Sequence, residues 1–121
     1  MNRCPEKIDG ARVVRWIELD SQRHRITDAI RLYRDGQEQT EFFGLAIATY
    51  DDTAGDRQDH YLFYCDPDWE TLNDSLYDSL DEATTEAERQ FSVERDEWID
   101  VPLTKHEAEQ GDAGKPNPAA S

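Results

Sequence analysis

Residues 61–91 read YLFYCDPDWETLNDSLYDSLDEATTEAERQF, and the order of patterns in this stretch decides the fold. Tyr61, Leu62, Phe63, Tyr64 and Cys65 form an apolar run without a polar gap. It is too short for a lone helix and fits a strand covered on both faces. Asp66-Pro67-Asp68 is turn chemistry, and WETLND then returns as a second strand. A helix follows over about Leu80 to Phe91. Ser79 with Glu82 three residues on has the spacing of a capping box, in which hydroxyl and carboxylate satisfy backbone N–H groups at the helix start. Asp81 and Glu82 sit in the first turn and Arg89 in the last, as the helix dipole favours. Leu80, Ala83, Ala87 and Phe91 make one narrow apolar stripe, with Glu86, Glu88 and Gln90 expected to face water. The alanines permit close approach to a sheet.

Working outward, Arg12 to Leu19 is a strand by its β-branched and aromatic content (Val13, Val14, Trp16, Ile17). Ile26 to Tyr33 fits a helix template through Ile26, Ala29, Ile30 and Tyr33, and an alternating strand less fully. A strand is favoured because Asp20-Ser21-Gln22 and Asp35-Gly36 read as turns on either side. Phe42 to Tyr50 is a strand with unlike faces: Phe43, Leu45, Ile47 and Thr49 on one, Gly44, Ala46 and Ala48 on the other. The small residues leave a trough, where the Ala83/Ala87 stripe is expected to pack, with this strand beside Tyr61 to Cys65 near the centre of the sheet. Residues 51–60 are a polar loop. Val93, Trp98, Ile99, Val101 and Leu103 suggest a return along the core edge, with Trp98 as a core plug. Residues 1–10 are expected to be a polar lead-in, residues 11–103 a single domain and residues 104–121 a disordered tail. The expected fold is α+β: an antiparallel sheet of four to five strands with the one main helix packed on one face.

The 121 residues contain 36% hydrophobic residues and twelve aromatics, enough for one small core. With 28 acidic side chains against 13 basic ones the formal net charge is −15, which disfavours direct binding of nucleic acid or of anionic membranes. The charge is uneven. Residues 1–34 hold eight basic and five acidic residues, a net of +3; residues 35–121 hold five and 23, a net of −18. The N-terminal arginines either neutralise neighbouring strands or form a separate anion-binding face. No membrane span and no apolar leader is visible, so a cytoplasmic location is expected.

Cys4 and Cys65 lack metal-site spacing, and Cys65 is expected to be a small core residue. His60 and Cys65, five residues apart along a strand, face opposite sides and make a poor base and nucleophile pair. Neither the acidic loop Asp51, Asp52, Asp56, Asp59 nor the run Asp66, Asp68, Glu70 follows the order of a calcium loop. No catalytic residue, metal site or cofactor is assigned.

Asp66, Asp68, Glu70, Asp74, Asp78, Glu82 and Glu86 recur along the hairpin and helix at spacings that could place many of them on one exposed surface. The expected function is therefore a non-enzymatic interaction protein that binds a basic protein partner, in the manner of an inhibitor or immunity protein. Two alternatives stand beside it. One is a small-molecule-binding domain or enzyme with a pocket between helix and sheet lined by Tyr50, Tyr64, Trp69 and Trp98. The other is adaptation to concentrated salt, consistent with sixteen aspartates and only three lysines. A homodimer through an exposed sheet edge or face is also compatible with the sequence.

The segment LFYCDPDWETLNDSLYDSLDEATTEAERQF followed by Trp98 resembles a pattern in small bacterial α+β proteins of the mobile-element, integron-cassette kind. There a strand ending in Cys-Asp and a Trp precedes a capped, alanine-rich helix and a later Trp. The resemblance covers about forty residues and implies a small α+β domain, with no activity attached.

Overall fold

The computed structural model describes residues 3–50 and 59–102. In chain order the elements are β1 (Lys7–Ile8), β2 (Ala11–Glu18), β3 (Leu32–Arg34), β4 (Gln37–Gln39), β5 (Gly44–Thr49), β6 (His60–Cys65), β7 (Thr71–Tyr77), α1 (Leu80–Phe91), a 3-10 turn (Arg95–Glu97) and β8 (Ile99–Asp100). The fold is α+β. One antiparallel sheet runs β1-β2-β5-β6-β7, with β8 also paired to β2, while β3 and β4 form a separate hairpin. No described helix is long and apolar enough to cross a membrane.

β5 and β6 lie side by side at the centre, as their unbroken apolar runs require, and both faces of the pair are covered. On one face Leu45, Ile47, Leu62 and Tyr64 pack with Ile17 and with Ala83, Ala87 and Phe91 of α1. On the other, Ala46, Ala48, Phe63 and Cys65 pack with Cys4, Ile8, Ala11, Val13, Trp16 and Trp69. The trough of small residues therefore exists, but the helix does not fill it. Trp69 and Trp16 do, meeting edge to face with centroids 5.6 Å apart. A bulge in β2 makes this possible. Its register slips between Val13 and Arg15, putting both Val14 and Arg15 towards the helix and returning Trp16 to the opposite face, beside Ala46.

The lead-in is also structured. Cys4 and Ile8 are buried, the Val13 N–H donates to the Glu6 carbonyl at 2.9 Å, and β1 pairs with the start of β2. Asp9 and Gly10 connect the two strands with φ of 52° and 83°, and Asp35 and Gly36 connect β3 to β4 with 54° and 81°. Two successive positive φ values are what a two-residue type I′ hairpin turn demands, and Asp-Gly supplies them at low cost. At residues 9–10 the same dipeptide joins two paired strands within the expected lead-in.

Residues 26–31 are neither strand nor helix. The Thr27 N–H donates to the Gln90 carbonyl at 2.7 Å and its hydroxyl to the Arg89 carbonyl at 2.8 Å. These are carbonyls of the last turn of α1, which have no partner within the helix. Ile26 and Ile30 anchor the segment against the helix-side core, and the strand begins only at Leu32.

α1 keeps its expected bounds. The Ser79 hydroxyl accepts from the Glu82 N–H at 3.0 Å, while the Glu82 carboxylate accepts from Asp78, not Ser79, at 3.1 Å. Ser92, at φ 59°, ends the helix and donates its N–H to the Glu88 carbonyl. Gln90 is buried rather than facing water: it sits three residues after Ala87 and shares its stripe. Its carboxamide accepts from the Tyr64 hydroxyl at 2.7 Å and donates to the Tyr77 hydroxyl at 3.0 Å. Trp98 is a core plug, its indole N–H donating to Glu88 at 3.2 Å. Of the polar loop expected at residues 51–60, residues 51–58 lie outside the described residues and His60 already belongs to β6; the tail expected at residues 104–121 lies outside the described residues too.

Candidate functional site

The seven carboxylates picked out along the hairpin and helix form a band rather than one flat face. Asp66, Asp68 and Glu70 cluster in the β6–β7 turn. Asp74 is opposite Phe63 in the sheet, on the side away from α1, while Glu82 and Glu86 belong to α1 itself. The band runs the length of β7, passes Asp78 and turns onto the helix. Several members already have local partners. Asp66 accepts from the N–H groups of Asp68 and Glu70 at 2.8 and 2.9 Å, which makes it a turn-forming residue; Glu82 holds the Asp78 N–H, and Glu86 pairs with Arg89 at 2.6 Å. The side chains of Asp68, Glu70 and Asp74 are exposed and make no such bond among the described residues.

Between Asp59 and Pro102 there are fourteen carboxylates against two arginines, a net of −12. Both arginines are engaged on the helix surface, Arg89 by Glu86 and Arg95 by Glu88 at 2.7 Å. Arginines of the N-terminal part reach the same region. Arg15 bonds Asp100 at 2.6 Å and the Thr84 hydroxyl at 3.0 Å, and Arg23 pairs with Glu97. Neutralisation within the fold accounts for these two residues.

The aromatic pocket expected between helix and sheet is not assembled. Tyr64 and Trp98 belong to the helix-side core; Trp69 and Tyr50 lie on the opposite side of the sheet. Trp69 crossed over because Asp66-Pro67-Asp68 delivers it at φ 65°, from where its indole drops into the alanine trough. Tyr50 donates its hydroxyl to the Asp9 carbonyl at 2.8 Å and heads an aromatic row, edge to face with Tyr61 at 5.5 Å, while Tyr61 stacks on Phe63 at 5.9 Å.

Cys4 and Cys65 are both buried as free thiols, and burial pushes the Cys4 thiol up to about 12 and raises that of Cys65 as well. Such thiols stay protonated at neutral pH and do not act as nucleophiles. His24 approaches a catalytic geometry that its spacing in the sequence does not announce, since its Nε2 lies 2.9 Å from Glu97. The other ring nitrogen settles the matter. Nδ1 accepts the Asp20 N–H at 2.9 Å, so Nε2 carries the proton towards Glu97 and both nitrogens are occupied. The pair ties the 20–24 turn to the 3-10 turn. The backbone N–H of Glu94, then Arg23 and His24, hold the Glu97 carboxyl down at about 2. Among the described residues no group of three or more potential ligand side chains could hold a metal ion.

A cleft of about 670 Å3 opens where the sequence gives no signal. One wall is the loop carrying Arg25 and Ile26, the other the segment Glu41 to Phe43 that leads into β5, and Phe42 and Phe91 contribute aromatic surface. Comparison with protein-family models, with curated proteins and with solved structures finds no match in any of the three.

Proposed function

We propose that this chain is a non-enzymatic acidic binding module that engages a basic protein partner, as inhibitor and immunity proteins do. The observation that carries the reading is the residual charge of the β6–β7 turn and of β7. Asp68, Glu70 and Asp74 are exposed beside one another in sequence, and the two arginines of residues 59–102 are already paired on α1. Carboxylates without local duties produce a lasting negative potential, which steers and orients a cationic surface. The partner contact belongs to this band, with Asp78 at its end and Glu82 and Glu86 extending it onto the helix, while Asp66 shapes the turn that presents it.

The experiment is capture of proteins encoded in neighbouring genes on immobilised chain at moderate salt, compared with the triple variant D68K/E70K/D74K. These three positions are chosen because their side chains are exposed and hold no hydrogen bond among the described residues, so reversal is expected to leave the fold intact. Loss of a captured partner in the variant supports the binding module. Equal capture by both chains removes it, and so does an absence of any partner together with a fold that requires molar salt, which would assign the acidity to the environment.

A further inference from the structure

The cleft between the Arg25 loop and the Glu41–Phe43 segment has the composition of a small-ligand site, and its volume of about 670 Å3 lies in the usual range for one. Both walls are fixed by hydrogen bonds outside the cleft. On one side the His24 N–H donates to the Asp20 carbonyl at 2.7 Å and Thr27 is bonded to the end of α1. On the other, the Phe43 N–H donates to the Cys65 carbonyl at 2.9 Å and its own carbonyl accepts from Leu19 at 3.0 Å. The cleft is therefore preformed. Phe42 and Phe91 meet edge to face at 5.7 Å and are almost fully buried, whereas Phe43 is held 40% exposed at the wall.

The charged groups are as informative as the rings. Arg15, Arg23, Arg31, Arg89 and Arg95 each pair with a carboxylate, as expected in a chain of net charge −15. Arg25, like Arg3 and Arg34, has no carboxylate partner among the described residues, and of these three it is the one that lines the cleft; its only bond among the described residues is from Nε to the Ser21 carbonyl at 3.2 Å. Glu41, on the facing wall, has no side-chain partner among the described residues either, and the two do not pair with each other across the cleft. An aromatic surface with a cation on one side and a carboxylate on the other matches an aromatic zwitterion.

We propose that this cleft binds a free aromatic amino acid, with its ring against Phe42, Phe43 and Phe91, its carboxylate at Arg25 and its ammonium at Glu41. Zero net charge suits the ligand to this protein, whose overall field repels simple anions. The site is separate from the acidic band, so either can fail without the other.

The test is a titration of isotope-labelled full chain, followed by backbone amide shifts, with L-phenylalanine and L-tryptophan and with phenylacetate, phenethylamine and L-alanine as controls. The expected result is saturable shifts confined to residues 21–26, 40–43 and the end of α1 at Phe91. Affinity falls about tenfold or more for each single-charge analogue, for R25A, E41A and F43A, and for alanine. Because Arg25 and Glu41 are exposed, those two variants keep the parent spectrum elsewhere, which separates loss of binding from loss of fold. Absence of saturable shifts overturns the proposal, as does binding indifferent to removal of either charge.

Discussion

The indole of Trp69 occupies the space that a side chain at Gly44 would need: a Cβ built on Gly44 stands 2.4 Å from Cζ3 of that ring and 2.5 Å from Cη2. A bulky residue at positive φ is uncommon and unfavourable, and Trp69 sits at 65°. Burial of the indole, 3% exposed against Ala46, Ala48 and Trp16, offsets that strain. The missing side chain in β5 and the strained backbone of the β6–β7 turn are two halves of one packing solution.

Gly44→Ala is therefore expected to destabilise the protein by roughly 1–3 kcal/mol, the range for overpacking a filled core. The clash is with a rigid ring, not with the far end of a flexible chain. Pairing the substitution with Trp69→Leu removes the obstacle, so the double variant should lose less than the sum of the two singles. Urea unfolding of all four proteins measures the coupling, and strict additivity would show that the contact carries no energy of its own.

Gln90→Leu should cost about 1–3 kcal/mol although it adds apolar surface to a buried position. The carboxamide accepts from Tyr64 and donates to Tyr77, so leucine strips a partner from each of two phenols. Tyr64 keeps the Ser75 hydroxyl at 3.0 Å, which places the loss at the lower end of the range. A Q90L/Y64F/Y77F chain removes all three polar groups together and should recover most of the stability. No recovery in that triple variant would mean that packing, and not hydrogen bonding, selects glutamine here.

How much of this was legible in the sequence depends on the range over which each feature is decided. β2, β5, β6, the helix bounds and the Ser79 cap are set by neighbours within a few residues, and the pattern announces them. Residues 26–31 were not legible because their apolar spacing serves helix and strand templates alike, and the deciding partners are carbonyls some sixty residues away, at Arg89 and Gln90. The occupant of the alanine trough was hidden for a related reason: a single bulged residue in β2 chooses the face on which Trp16 lands. Acidity was visible as composition, but which carboxylates make local bonds was not. Arg25 belongs to one connector and Glu41 and Phe43 to another, and no spacing rule links the two.

Gly36→Ala should lower stability by about 1 kcal/mol without changing the structure around it. A Cβ there meets nothing within 4 Å, so the whole effect is the cost of a positive φ of 81° for an L side chain. Gly10, at 83°, carries the same backbone demand with Tyr50 Cε1 at 3.6 Å, an ordinary contact, so Gly10→Ala should cost a similar amount. Thermal unfolding of the two variants tests the equivalence. A much larger loss at Gly10 would show that the β1–β2 hairpin is critical to the core in a way the β3–β4 hairpin is not.

Glu97 predicts how the fold responds to acid. Its carboxyl is held down at about 2, first by the Glu94 backbone N–H, then by Arg23 and His24, against about 4.3 for glutamate in an unfolded chain. A carboxyl depressed on folding contributes stability that is fully present above the unfolded value and is lost as pH falls towards the folded one. The window is therefore pH 5 to 2. Since Glu97 lies at the surface, screening reduces the nominal linkage to about 1 kcal/mol. Glu97→Gln keeps the shape and abolishes the titration, so the variant should be the less stable chain at pH 7 and the difference should shrink towards zero by pH 2. Urea midpoints for both proteins at pH 7, 4, 3 and 2 isolate this one group, because every other carboxylate titrates equally in the pair. A gap that stays constant across the series would mean that Glu97 acts through hydrogen bonds that glutamine cannot make, and not through its charge.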